Sequence, residues 1–335
     1  MNKKVLILFV IFVLFIFIFN AYSDNPKYLF KIASDAPDKS IWVESIKKIG
    51  RELYKSTNGE IGIRVYPGGV MGDQNDVIKK IKIGQLSGAA LSSGGLGLIY
   101  KDFLVMGFPL IFKNYDEYDY VKEKMTSFFE KEFEKRGYVF LGWSEVGLIY
   151  VYSKKKVHSI DTLRSAKPFL VEGDEISYAL FKEAKVTPVP LQISDVMTSL
   201  QTGTIDTVFS SPYGLIVMQW HTNVKYMASF PITLMIGAVL VDKNLFYSMP
   251  ASYQTEMKKM FKSTLDGINS KIRSDNNKAL EVLKKNGLVI LPVDNKDKDI
   301  FYNVCDKVAM KLTEKEYSRS LYNKIIGYIK EYRKK

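Results

Sequence analysis

The sequence predicts an α/β protein of two lobes, joined by a hinge around a cleft and braced by long C-terminal helices. Three observations carry that expectation. Strand-like and helix-like segments alternate in two successive stretches, before and after residue 149. A chain of 335 residues is long enough for two cores. A strand-like run at 235–241 then returns the chain toward its first half, so each lobe is built from non-contiguous pieces, a geometry suited to hinged closure.

The first half reads as follows. Residues 28–34 form a strand that ends in the turn-like run DAPDK, and Trp42, Ile46, Ile49 and Leu53 then share one face of a helix over 42–54. Asn58-Gly59 stops that helix, 60–66 alternates like a strand, and Asp73 caps a short helix over 74–83. Residues 89–91 make a small buried strand before a glycine-serine turn at 92–96, and 114–135 is helical.

A strand over 138–143 continues through 144–152 and is expected to cross into the second lobe. There the reading gives strands at 168–171, 186–190 and 204–209, with helices at 174–184 and 193–201 between them. Residues 257–272 and two later helical stretches brace the lobes. The resulting division is 24–149 with about 235–270 for lobe 1, and about 150–234 with about 271–335 for lobe 2.

Two lysines precede fifteen unbroken apolar residues and the segment Ala21-Tyr22-Ser23, the layout of a signal peptide cut after Ser23. Fifteen residues fall short of the roughly 20 that a spanning helix needs, although an uncleaved anchor is the alternative. The mature chain is therefore expected outside the cytoplasm, and the family likeness given below makes that compartment the periplasm. The formal charge of +12 becomes +10 once Lys3 and Lys4 leave with the leader. The remaining lysines are dispersed among glutamates, so no nucleic-acid surface is expected. The lysine run 154–156 reads as a solvated turn, and Cys305, the one cysteine, as buried filler.

Five segments carry a family likeness: KIASDAP (31–37), VYPGGVMGDQ (65–74), LVMGFPLIF (104–112), GWSEVG (142–147) and SLQTGTID (199–206). In that order and spacing they resemble the DctP-type extracytoplasmic solute receptors of tripartite ATP-independent periplasmic (TRAP) transporters. The similarity runs from about Phe30 to beyond Pro250. It implies a periplasmic binding protein fold closing on a small organic anion, usually a carboxylate, and delivery to the small and large membrane subunits of a permease. Without the likeness, Gly72-Asp73 and Gly203-x-x-Asp206 read as loop and helix-end devices where strands emerge beside a ligand.

In most members, the resemblance implies, an arginine clamps the ligand carboxylate through paired hydrogen bonds. Phe169 stands at the matching position, and Ile149 stands where some members carry a second arginine. Arg164 lies in the preceding turn, and Lys167 matches the family's own turn lysine. A carboxylate placed there would lose water without gaining a bidentate partner. The expected ligand therefore has a substantial apolar or neutral body, with Phe169, Ile149, Phe209 and Tyr213 offering contact area at roughly 25 cal/mol per Å².

Glu172 and Asp174 follow the Phe169 strand and suit a hydroxylated or amine-bearing ligand, or a cation; Asp174 also suits a helix N-cap. Phe169 reads equally as core, and Glu172 as solvent-facing. On the first lobe Ser34, Ser92 and Ser93 resemble cleft-facing positions, and Asp73 either caps its helix or reaches the ligand. The family's amide side chain falls at Ser210 or Ser211, in a segment one residue longer than usual. Tyr213 is expected at the ligand and Trp220 in packing.

His158 and His221 have no hydrolytic partners at useful spacing, and no metal, nucleophile-elbow or phosphate-loop motif occurs. The expectation is a binding protein without catalysis, cofactor or metal. Two other readings compete with small-solute delivery: a carrier of a lipid-like ligand that works with an accessory periplasmic protein, and a sensor contacting a signalling partner.

Overall fold

The computed structural model describes residues 26–334, so the leader expected over 1–23 lies outside it. Among the described residues no helix is long and apolar enough to cross a membrane. The first lobe opens with β1 (Tyr28–Ser34), α1 (Ile41–Ser56), β2 (Ile61–Tyr66), α2 (Gln74–Lys82) and β3 (Gly88–Ser92). It continues through α3 (Ser93–Ile99), a 3-10 turn (Lys101–Gly107) and α4 (Tyr115–Lys135). Side-chain oxygens of Ser40, Asp73 and Asn114 accept from the backbone N–H three residues on, which is why α1, α2 and α4 begin where they do.

The strand β4 (Tyr138–Ser153) is one unbroken crossing of sixteen residues. Beyond it come α5 (Ile160–Arg164), β5 (Phe169–Val171), α6 (Glu175–Ala184), β6 (Val189–Leu191), α7 (Val196–Thr202), β7 (Thr207–Ser210), α8 (Pro212–Val217) and β8 (Tyr226–Ala228). The chain returns along β9 (Thr233–Asp242) and the short α9 (Lys243–Tyr247) to α10 (Ala251–Lys285). It ends in β10 (Val289–Leu291), α11 (Asn295–Lys315) and α12 (Arg319–Tyr332).

In the first lobe β2, β1 and β3 run parallel, with β9 antiparallel to β3 and β4 antiparallel to β9. Ile46, Ile49 and Leu53 of α1 and Phe261, Leu265 and Ile272 of α10 cover one face. Phe129 and Phe133 of α4, with Leu321 and Ile325 of α12, lie in the core on the other. From Tyr150 onward β4 pairs instead with β7 and β8, so a single strand belongs to both lobes. Parallel β5 and β6 adjoin β7 through a bridge from Pro168 to Thr207.

Several expectations change. The turn expected at 92–96 is the helix α3, because fully buried Leu96 outweighs the poor helix propensity of its glycines. The helix read over 257–272 is the middle of a helix of 35 residues, whose Leu280 and Leu283 reach the second lobe's core. The strand expected from 204 starts at Thr207, since the carboxylate of Asp206 is taken by the Lys167 N–H at 2.7 Å and the Thr207 hydroxyl at 2.9 Å. Lys155 pairs with that same carboxylate at 2.8 Å and Lys154 donates to the Leu200 carbonyl, so the lysine run anchors a turn and is not merely solvated. α11 packs on α6, but α12 lies on α4 of the first lobe, held by Arg333 against Glu117 at 2.8 Å. The expected division had placed it with lobe 2. Cys305 is buried, and burial pushes its thiol up to about 12.

Over 138–149 β4 has a strand neighbour only on the β9 side among the described residues, and its register slips between Phe140 and Gly142 and again between Glu145 and Gly147. Side chains pair with its backbone at the second slip. Asn269 donates to the Trp143 carbonyl at 3.1 Å, Trp42 to that of Glu145 at 3.0 Å and Asn276 to that of Val146 at 3.0 Å. The Leu148 N–H donates to the Tyr115 hydroxyl at 3.1 Å. Gly147, at φ 115, must lack a side chain, because a Cβ would lie 2.4 Å from Asn276 Nδ2 and 3.0 Å from the Tyr115 hydroxyl.

The Glu145 side chain, fully buried, takes two hydrogen bonds at 2.8 Å from Nε and Nη2 of Arg273, whose Nη1 and the same Nη2 donate to Asp119 at 2.6 and 2.7 Å. Burial works against the Arg273 charge, but its bonds to Asp119 and Glu145 more than offset that and raise its pKa. Burial alone would raise the Asp119 carboxyl too; hydrogen bonds from Arg273 and Lys122 overcome it and hold the group below the usual range. In Asp206 the partners Lys155, the Lys167 N–H and Thr207 overcome burial in the same direction, as Arg333 does in Glu117.

Two outcomes follow from this arrangement. Gly147→Ala should cost about 3 kcal/mol in denaturant unfolding, combining backbone strain with the clash against Asn276. Asp119, Glu117 and Asp206 all have depressed folded-state pKa values, so the stability they contribute is present above the ordinary carboxylate range and lost as pH falls through the folded values. Thermal midpoints should hold steady down to about pH 5 and drop below about pH 4. Asp119→Asn should make that acid limb shallower, and an unchanged limb would remove Asp119 from the account.

Candidate functional site

Strand direction locates the cleft. β9 begins beside the carboxyl end of β3, where Ser92 lies opposite Gly237, and β4 leaves the lobe there, with Ser144 opposite Gly237 and Ile149 opposite Thr233. In the second lobe β7 ends with Ser210 opposite Tyr150, the point where β4 enters, and β5 and β6 run parallel to β7. The carboxyl ends of both parallel sets therefore face each other across the hinge, the usual position for a ligand between α/β layers.

On the first lobe this edge carries a polar cluster. Gln74 donates to Asp35 Oδ2 at 2.6 Å and to the Ser92 hydroxyl at 2.9 Å. Its amide occupies space that only glycine at position 95 leaves open, since a Cβ there would sit 1.9 Å from Gln74 Oε1. The side chain of Asp35 stays open to water, yet surrounding protein crowds its carboxyl. That desolvation, aided by nearby Asp73, outweighs the Gln74 hydrogen bond and pushes the group above its usual range. Ser34 is buried at the end of β1, its hydroxyl accepting from the Ala36 N–H at 3.2 Å. Ser93 opens α3. Asp73 is exposed and caps α2 by accepting from the Asp76 N–H at 2.8 Å.

On the second lobe Phe169 is 4% exposed and meets Trp220 edge-on at 6.1 Å, within a core that includes Tyr152, Leu200 and Val208. Ile149 is likewise buried, opposite Thr233 in the last pairing of β4 with β9. Phe209 is half-buried with its ring 5.8 Å from Phe181, and Ser210 is buried. Glu172 is exposed and accepts from Gln192 at 2.7 Å. Asp174 caps α6, accepting from the Ser177 N–H at 3.0 Å and its hydroxyl at 2.6 Å. Tyr213, in the first turn of α8, lies 5.9 Å from the ring of Trp42 on the other lobe.

The fold thus gathers Ser34 and Ser92 on one edge and Ser210 and Tyr213 on the other, with Phe169 and Ile149 packed behind, while Asp73 and Asp174 serve helix ends. Sequence reasoning missed Asp35, Gln74 and Trp42. The first two stand inside the quoted motifs, and Trp42 was absorbed into the apolar face of its helix. Basic side chains near the site are engaged elsewhere. Arg164 bonds the Ala184 carbonyl at 2.8 Å and Asp161 at 2.5 Å, Lys167 reaches the Gly203 carbonyl at 3.3 Å, and Arg273 holds two carboxylates. Apolar side chains stand exposed on the segments that follow the strand ends: Val70 at 70%, Leu98 at 57% and Ile193 at 44%.

Residues 32–316 match the family described as bacterial extracellular solute-binding protein, family 7. The chain is 23% identical over 235 residues to the C4-dicarboxylate-binding periplasmic protein DctP of Rhodobacter capsulatus, covering 70% of each chain. It superposes with a TM-score of 0.82 at 16% identity on DctP7 of Bordetella pertussis, an extracytoplasmic solute receptor binding pyroglutamic acid, covering 90% of this chain and 99% of that one. A TRAP periplasmic solute binding protein from Citrobacter koseri with bound D-glucuronate gives 0.78 at 22% identity, covering 89% and 98%. At such identities the structural likenesses show the two-lobed fold. With its matched motifs and this architecture, the chain belongs to family 7 of the bacterial extracellular solute-binding proteins, the receptors of TRAP transporters, which bind their cargo and are not enzymes.

Proposed function

We propose that this chain is a periplasmic receptor that captures a small organic solute with a substantial apolar or neutral body and delivers it to the membrane subunits of a TRAP permease. The observation that carries the reading is the pair of buried hydrophobic residues, Phe169 and Ile149, at the positions where the resemblance places arginines. The nearby cations are already paired, so an incoming carboxylate would be desolvated without a bidentate partner. Exposed Val70, Leu98 and Ile193, on segments that follow the strand ends of the two lobes, offer apolar surface for such a ligand to cover. Polar ends of the ligand have Ser34, Asp35, Gln74, Ser92 and Ser210 within the cleft edges.

Closure needs a ligand that contacts both lobes better in the closed than in the open state, since only differential affinity shifts that equilibrium. The exposed apolar rim also supports a longer, lipid-like cargo. In that case an accessory periplasmic protein would shield the ligand during transfer.

Native mass spectrometry of gently purified protein, followed by identification of whatever dissociates, separates these readings. A compact neutral or amine-bearing solute supports the first, and a long-chain amphiphile the second. Tight calorimetric binding of succinate would overturn both. With the identified ligand in hand, Leu98→Ser and Ile193→Ser should each weaken binding by roughly tenfold. Their unfolding free energies should stay within about 0.5 kcal/mol of the parent, as expected at exposed positions.

A further inference from the structure

We infer that Asn276 is a positioning residue that ties the site helix of the second lobe to the hinge strand of the first. Its one amide group spans two elements: Nδ2 donates to the Val146 carbonyl at 3.0 Å, and Oδ1 accepts from the Tyr213 N–H at 2.9 Å. Val146 lies at the register slip of β4, in the half that pairs with the first lobe, whereas Tyr213 lies in the first turn of α8.

The N-terminus of α8 shows why the second bond matters. A helix start leaves backbone donors unmatched. Pro212 at the first position has no N–H to satisfy, and the Gly214 N–H is met by the Ser211 hydroxyl at 3.0 Å. The Tyr213 N–H between them has no local partner and is met by Asn276, 63 residues away along the chain. Completion of this cap is therefore delegated to α10. Asn276 is 5% exposed, so neither half of its amide has water as a ready substitute. Gly147 leaves the room that the amide occupies.

Trp42 makes a parallel link. Its indole N–H donates to the Glu145 carbonyl, one residue before Val146, and its ring lies 5.9 Å from that of Tyr213. The start of α8, with Ser210, Ser211 and Tyr213, is thus referenced to the hinge strand itself as well as to its own lobe. Lobe rotation beyond Ile149 must either carry this segment with the hinge or break the bond from Tyr213 to Asn276. This role is independent of which solute is bound, so its failure would leave the cargo assignment untouched.

The test uses ligand-free protein in a Cys305→Ala background, spin-labelled at exposed Lys82→Cys on the first lobe and Gln201→Cys on the second. With Asn276→Ala, amide exchange at Tyr213 should accelerate about tenfold, equivalent to about 1.4 kcal/mol, while central amides of β9 keep their rates. The inter-lobe distance distribution from pulsed electron paramagnetic resonance should shift or broaden. A rise at Tyr213 no larger than in β9, or an unchanged distribution, would overturn the inference. If Asn276→Ala does not fold, the comparison moves to Tyr213→Ala, which keeps the N–H, and Tyr213→Pro, which removes it. A broader distribution in the proline variant alone supports the tether, and matching distributions refute it.

Discussion

The structure depends on how the segment 143–148 of β4 is held. This strand is common to both lobes, and over its first-lobe half it has, among the described residues, a strand neighbour on one side only. Side chains of α10, α1 and α4 bond the backbone of 143–148 and stiffen the strand up to the crossing. Immediately beyond that braced segment, at residues 149–150, the pairing partner changes from β9 to β7. A hinge works only if the material on either side of it is rigid.

The same region explains why a cation near the hinge is not a ligand clamp. Arg273 faces two carboxylates and stacks on the ring of Tyr115 at 4.3 Å, so its donors are committed to structure. Removing Arg273 alone would take two hydrogen bonds from the fully buried Glu145 carboxylate and leave it only Lys122 at 3.5 Å, a larger loss than the pair contributes as a whole. Among the described ion pairs, Arg273 with Glu145 and Asp119 braces the crossing strand, and Lys155 with Asp206 holds the turn before β7. The relatives with bound carboxylates share the frame, but the cargo of this chain has to be argued from its own side chains.

Much of the fold was legible in the sequence because local rules sufficed. The strands β1 and β2, the helices α1, α2 and α4, and the caps at Asp73 and Asp174 follow from period, polarity and capping chemistry. The site was less legible. Ser34, Ser92, Ser210 and Tyr213 were reached through motif position, whereas Asp35 and Gln74 gain their meaning from a hydrogen bond across 39 residues. Asn269 and Asn276 interrupt an otherwise apolar buried stripe on α10, a signal that becomes interpretable only once β4 lies beneath it.

By itself the sequence determined most of the strands and helices and that the chain crosses between lobes, and it placed hydrophobic residues where the family resemblance leads one to expect arginines. These properties are local or can be compared position by position. Only the tertiary structure decided that Phe169 lies against Trp220, that α12 returns to the first lobe, that α3 is helical despite its glycines, and that Asn276 joins α8 to β4. Each depends on groups far apart in the chain being buried together, where the cost of an unpaired polar atom or an empty space is fixed by neighbours that no local pattern names.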